Sequence, residues 1–167
     1  MQGGRHKGGD FGEGVEYNNS FIDQTFHFYM PERLSSFDLI SIVLSGAFQQ
    51  KRETREDRWS VQFADDFEVQ LMRLLNGEKR NISLIKEYYC FDTEGAFPYS
   101  SEVSETLSDL AGHGALVYIM GEPGRIARPM IKYFAKKTLE EGRISQQDYD
   151  KLADLGRQLP IKRTVFI

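Results

Sequence analysis

The sequence predicts an α+β domain, mainly helical, with one β-hairpin set among the helices. Three observations between Phe97 and Pro129 carry that expectation. Val103, Leu107, Leu110 and Ala111 recur at helical spacing and line one face of a helix. Gly112 and Gly114 follow, and glycine tolerates the left-handed backbone that ends a helix. Leu116, Val117, Tyr118 and Ile119 then suit an extended strand, Gly121-Glu122-Pro123-Gly124 a tight turn, and Arg125 to Pro129 the antiparallel return. Ser100 and Ser101 precede the helix as capping side chains, and Pro129, which lacks an N–H, closes the second strand.

The other elements follow in chain order. Residues 1–14 hold six glycines and no apolar periodicity, as a flexible arm would. Residues 15–167 read as a single domain. Val15 to Tyr29 is rich in Phe, Tyr, Ile and Thr, and Phe26 and Phe28 alternate around His27 as in a strand, which Pro31 ends. Ser35 and Asp38 are placed to cap a helix, with Leu34 and Leu39 spaced to staple across the cap. Leu39, Ile40, Val43, Leu44 and Ala47 give that helix a broad apolar face and predict that it is well buried.

Gln49 to Trp59 mixes Lys51, Arg52, Arg55 and Arg58 with Glu53, Glu56 and Asp57, the pattern of a solvated helix end or exposed loop. Phe63, Phe67, Leu71, Leu74 and Leu75 form the next helical stripe, stopping at Asn76-Gly77. Ile82, Ile85, Tyr88 and Tyr89 fit a short helix, with β-structure as the rival. Beyond the hairpin, Ile131, Phe134, Ala135 and Leu139 define a helix ended by Gly142. Ser145-Gln146-Gln147-Asp148 is a capping-box sequence for a last helix with Tyr149, Leu152, Ala153, Leu155 and Leu159, which Pro160 terminates. Val165-Phe166-Ile167 is apolar enough to dock on the core or on a second copy of the chain.

The order helix, helix, helix, two-stranded wing over about 63–130 resembles the winged helix-turn-helix fold, with additional N- and C-terminal helices. Phe97-Pro98-Tyr99-Ser100-Ser101-Glu102-Val103, followed by Leu107, Leu110, Gly114 and Leu116-Val117, resembles a prokaryotic group more closely. In the Panacea antitoxin-domain proteins and their relatives, an aromatic–Gly-Pro-Tyr-Ser-type turn starts a helix that ends in a Leu…Leu…Gly-Leu-Ile-type passage; here Phe97-Pro98 stands in place of Gly-Pro. The resemblance implies a small non-enzymatic regulator or antitoxin from a bacterium or phage.

Composition limits the function classes. A chain of 167 residues with 40% hydrophobic residues can bury a core without metal or disulfide support. The net charge of −4 supplies no global attraction to nucleic acid or membrane, so any basic surface must be local. The single Cys90 excludes an intrachain disulfide and fits a reducing compartment. No apolar run approaches a membrane span and no signal-peptide pattern is present, so the expectation is a cytoplasmic protein without a membrane partner.

Two surfaces are candidates for binding. Arg125, Arg128, Lys132, Lys136 and Lys137 occur within thirteen residues that contain no acid, and arginine forks on a hairpin suit phosphate oxygens. The bland alternative is a solvated helix face with lysines near a C-terminus, where the helix dipole favours cations. The helix before the hairpin argues for a protein partner instead. It exposes Glu102, Glu105 and Asp109, with no Arg or Lys between Ser100 and Gly112, whereas helices that read base edges use mainly Arg, Lys, Asn and Gln. Tyr99 and His113 flank it as further protein-contact candidates, the histidine alternatively bonding a terminal carbonyl, and Phe97 reads as a core anchor.

Enzymatic chemistry finds less support. Cys90 and His113, oriented by Asp92 or Asp109, are the one conceivable thiol–imidazole pair, but no nucleophile motif surrounds Cys90, and Tyr89 and Phe91 beside it predict a buried structural thiol. No metal-ligand spacing occurs, and the Gly121–Gly124 turn lacks the Lys-Ser/Thr of a phosphate loop. Asp65-Asp66 and Glu140-Glu141 read as paired surface carboxylates. The expectation is therefore a non-enzymatic protein-binding regulator without cofactor or metal, DNA binding through the basic wing as the alternative, homo-oligomerisation open.

Overall fold

A segment with apolar residues at almost every turn has no polar face to give to solvent, and the chain buries it accordingly. Helix α1 (Ser36–Ala47) is buried at every position from Asp38 onward, and the remaining elements are arranged around it. The structure, a computed structural model, describes residues 33–52, 58–121 and 124–167. The glycine-rich arm, the strand expected within Val15 to Tyr29, the middle of the charged 49–59 segment and the tip of the hairpin turn lie outside the described residues.

After α1 come β1 (Ser60–Phe63), α2 (Phe67–Glu78), α3 (Ser83–Tyr88), α4 (Ser101–Gly112), β2 (Leu116–Val117), β3 (Ile126–Ala127), α5 (Met130–Glu140), α6 (Gln146–Gly156) and β4 (Ile161–Val165). The fold is α+β and mainly helical, with the four strands in one antiparallel sheet of order β2-β3-β1-β4. α1 packs against α4, α5 and α6. Its Leu39, Ile40, Ile42, Val43 and Leu44 meet Leu107, Leu110, Ile131, Ala135, Leu152 and Leu155 in a single core.

The α1 cap forms as the sequence predicts. Ser35 Oγ accepts from the Asp38 N–H at 3.2 Å, and Asp38 Oδ2 accepts from the Ser35 N–H at 2.9 Å. Asp38 also reaches the far end of α5. Its Oδ2 accepts from Arg143 Nη1 at 2.6 Å and its Oδ1 from Thr138 Oγ1 at 3.1 Å, and both charged side chains are under a tenth exposed. Arg143 Nε lies 2.9 Å from Glu141 Oε2 but out of line for a hydrogen bond. A second polar tie joins α1 to α3 and α4. Ser36 Oγ lies 3.0 Å from Tyr89 Oη and 2.6 Å from Thr106 Oγ1, and burial raises the Tyr89 phenol pKa, so the hydroxyl stays protonated.

α1 and α6 touch backbone to backbone. A Cβ on Gly156 would stand 1.6 Å from the Val43 carbonyl oxygen, and one on Gly46 would stand 1.8 Å from that of Ala153. Only two glycines permit this crossing.

Several expectations are corrected. The hairpin is not a free two-stranded wing: β3 pairs with β2 on one side and with β1 on the other, so it is an inner strand of a larger sheet. A two-residue ladder has too few bonds and too little buried face to stand alone, and β1 supplies both. The main chain continues this contact beyond the strand, Phe63 N–H donating to Arg125 O at 2.9 Å. Phe63 therefore belongs to β1 and not to the helical stripe. Its four-residue spacing from Phe67 reflects ring stacking across the strand–helix turn, with centroids 4.5 Å apart. Gly77 does not stop α2, which runs to Glu78. The last helix ends at Gly156, short of Pro160.

The first hairpin strand stops at Val117, two residues short of the expected Ile119. The C-terminal run forms β4 against β1, yet Phe166 and Ile167 remain 65% and 45% exposed. The 82–89 stretch forms the short helix α3 over Ser83–Tyr88, flanked by Ile82 and Tyr89, with Ile82, Ile85 and Tyr89 buried. In the hairpin turn Gly124 takes φ +80, and a Cβ there would stand 2.5 Å from the Phe63 carbonyl, so both strand spacing and turn geometry require glycine.

Candidate functional site

α4 starts where Ser100 Oγ accepts from the Val103 N–H at 3.4 Å, the expected cap. The same hydroxyl donates to Glu102 Oε2 at 2.8 Å, and Ser101 Oγ adds a bond at 3.3 Å. With its own main-chain N–H, the largest cause, and that of Cys90, these donors hold the Glu102 carboxyl below the usual glutamate range. Glu102 is thus occupied in fixing the helix entry. A depressed folded-state pKa gives a contribution that is complete above the unfolded-state pKa and lost as pH falls through the folded value. Glu102→Gln is expected to flatten the acid limb of the stability curve, the two proteins converging at the lowest pH. Urea denaturation from neutral to acid pH checks this.

Val103, Thr106, Leu107 and Leu110 bury the inner face of α4. Ser101, Glu105, Ser108, Asp109 and Gly112 recur at helical spacing and are exposed. The stripe is acidic, with short serine side chains between the carboxylates. Tyr99 precedes it, its main chain doubly bonded to Asp92 at 2.8 Å and its side chain 47% exposed. His113 closes the other end. Its Nδ1 lies 2.8 Å from the Asp109 carbonyl oxygen and its ring meets Phe37 edge-on at 5.2 Å, so the terminal-carbonyl alternative describes it and the imidazole is positioned at the surface.

The basic candidates separate. Arg125 Nε binds Glu68 Oε1 at 2.8 Å and the guanidinium lies 4.3 Å from the Tyr118 ring centroid, with 17% of the side chain exposed. Lys136 and Lys137 pair one turn on with Glu140 and Glu141, at 3.4 and 3.6 Å. Such exposed pairs are worth only about 0.3–0.5 kcal/mol, but the carboxylates stay beside the lysines and would repel a phosphate. Lys132 lies 5.5 Å from the Phe48 ring centroid. Arg128 is exposed beside β3. The segment that contains no acid in sequence is thus partly neutralised in space. Sequence spacing shows the lysine pairs, but nothing local signals Glu68, which is 57 residues from Arg125.

Cys90 is exposed, contrary to the expected buried thiol. The chain leaves α3 extended at Tyr89, and alternation sends Tyr89 inward and Cys90 outward. Phe97 is half-buried. A depression of about 290 Å³ lies between the start of α2 and the hairpin, lined by Asp65, Asp66, Glu68, Tyr118 and Arg125. Among its described lining residues the one cation is the arginine already paired with Glu68. Among the described residues no three His, Cys, Asp or Glu side chains are grouped to hold a metal ion, and no helix is long and apolar enough to cross a membrane. No family model matches the chain, and no curated protein or solved structure matches it significantly.

Proposed function

We propose that this protein is a non-enzymatic regulatory module of antitoxin or regulator type, which binds a protein partner through the outward face of α4. The observation that carries the reading is the stripe of Glu105 and Asp109 among exposed serines, on a helix without a cation from Ser100 to Gly112. Such a face repels a polyanion and suits a partner surface rich in Lys and Arg. The engagement of Arg125 with Glu68 and Tyr118 supports it from the other side, because the hairpin then offers less to phosphate than its sequence promised.

The element order supports a winged-helix reading with a different extent. A winged helix carries a strand after its first helix that pairs with the returning strand of the hairpin. The order α1, β1, α2 to α4, β2, β3 and the adjacency of β3 to β1 support that reading, here with three helices between β1 and β2. On this reading the unit begins at α1 instead of Phe63, and β4 is an added strand. α4 then holds the place of the helix that enters the major groove in DNA-binding members, and its carboxylates redirect it to protein.

The test is co-purification from the native host with wild type and a Glu105→Lys/Asp109→Lys variant, analysed for protein and nucleic acid. Both side chains are exposed, so the variant is expected to fold as wild type and to lose a protein that the wild type retains. Salt-sensitive DNA retention that survives this change and disappears in Arg128→Ala would overturn the reading in favour of a DNA-binding regulator.

A further inference from the structure

α2 buries Phe67, Leu71, Met72 and Leu75, so its opposite side carries Val69, Gln70, Arg73, Asn76 and Gly77, with Arg80 just past its C-terminal cap. Arg73, Gly77 and Arg80 are exposed, and none of the ion pairs among the described residues uses either arginine. The acids of this helix are engaged elsewhere. Glu68 Oε1 accepts from Arg125 at 2.8 Å, Glu78 Oε2 from Asn81 at 2.9 Å, and Asp66, at the helix start, from Gln70 at 2.9 Å. From Val69 to Gly77 the helix holds no acid. A Cβ added to Gly77 would meet nothing within 4 Å, so no contact among the described residues requires glycine there. Two arginine forks, about 10 Å apart along the axis, thus flank a position with no side chain. α4 has the opposite character. It exposes Glu105 and Asp109, carries no cation from Ser100 to Gly112, and completes its stripe with Ser101, Ser108 and Gly112.

We propose that the outward face of α2 docks on the outward face of α4 of a second copy of this chain. Arg73 and Arg80 meet Glu105 and Asp109, and Gly77 lets the two backbones approach over the serines. Charge selects the occupant. Among the described helices with an exposed face, α4 alone has no Lys or Arg. Arginine forks bond carboxylates in pairs, and a face of one sign set against its opposite fixes both partner and register. A nucleic acid is the poorer fit, because two arginines in a protein of net charge −4 release few counterions, whereas DNA-binding surfaces neutralise several phosphates. The contact joins two different surfaces, so a two-fold dimer makes it twice. Self-association then covers the face assigned above to a partner, and the two modes of binding exclude each other. That consequence rests on the partner reading; the pairing itself needs only the two faces.

Sedimentation velocity on the full chain, from about 10 to 500 µM at low and high salt, tests it. Wild type is expected to associate as concentration rises and to dissociate as salt screens the pairs. Arg73→Glu/Arg80→Glu and Glu105→Lys/Asp109→Lys change exposed positions, and each is expected to weaken association about tenfold or more. An equimolar mixture of the two is expected to associate again, because acid then meets base at both contacts. Gly77→Gln leaves every charge in place and is expected to weaken association by holding the backbones apart. Circular dichroism checks that each variant is folded, and the wild-type measurement depends on no variant. A wild type that stays monomeric throughout, association unchanged by either charge reversal, or a mixture of folded variants that fails to recover would each overturn the pairing. So would a DNA duplex bound by wild type and lost with Arg73→Glu/Arg80→Glu. Co-purification from the host tests the partner reading separately. A retained protein beside a monomeric wild type removes this pairing alone, and self-association without a retained protein leaves it standing.

Discussion

Gly156→Ala is expected to destabilise the protein by about 3 kcal/mol or more, at the upper end of overpacking costs. The methyl would enter the van der Waals volume of the Val43 carbonyl at 1.6 Å, with the Gly46 Cα at 3.0 Å. Neither neighbour is a side chain that can rotate away. α6 must move off α1, and the apolar contacts of Leu152 and Leu155 with α1 loosen together with the glycine contact. Alanine's helix-propensity advantage of about 1 kcal/mol opposes this, and it is too small to compensate. Gly46→Ala should behave alike, since its methyl would stand 1.8 Å from the Ala153 carbonyl. Gly77→Ala in α2 is the control: nothing lies within 4 Å of its added Cβ, so it should be neutral or stabilising by up to about 1 kcal/mol. Urea denaturation of the three variants beside wild type measures the contrast. Equal stability of Gly156→Ala and wild type would mean that the helices do not cross at these glycines.

Arg143→Ala is expected to cost about 3–5 kcal/mol, because it leaves the Asp38 carboxylate buried without its cation. Asp38 also accepts from Ser35 and Thr138, so it cannot turn out to solvent without opening the α1 cap. The pair joins the first turn of α1 to the residues just past α5, a contact 105 positions apart. Removing one partner is the damaging change. The double variant Asp38→Asn/Arg143→Met removes both charges and keeps bulk, and it should be more stable than Arg143→Ala alone. A double-mutant cycle on denaturation midpoints separates the pair from the cap. Independent, additive effects would show that the contact is not a coupled ion pair.

Most of the helical structure was legible in the sequence, because caps, apolar spacing and stop residues act within a few positions of the turns they shape. Ser35 with Asp38, Ser100 with Val103 and Ser145 with Asp148 all form the bonds that their spacing anticipates. The stripe of α4 was legible for the same reason, since a 3.6-residue repeat states which side chains share a face. β1 was missed because Phe63, four residues before Phe67, satisfies a helical count while lying in a strand. β4 was missed because Pro160 and a short mixed run carry little signal without the partner that pairs them.

By itself, the amino-acid order determined an α+β chain rich in helix, the position of α4, and the carboxylates that give its outer face one sign. Tertiary structure alone decided that the hairpin joins β1 instead of standing free, that Glu68 takes Arg125, that Gly46 and Gly156 bring two backbones together, and that β4 pairs with β1. The division has one cause. Caps and periodic faces depend on neighbours a turn away, whereas these strand pairings, the buried ion pair and the helix crossing join groups from 57 to more than 100 positions apart, whose meeting follows from the packing of the whole core and from no short stretch of it.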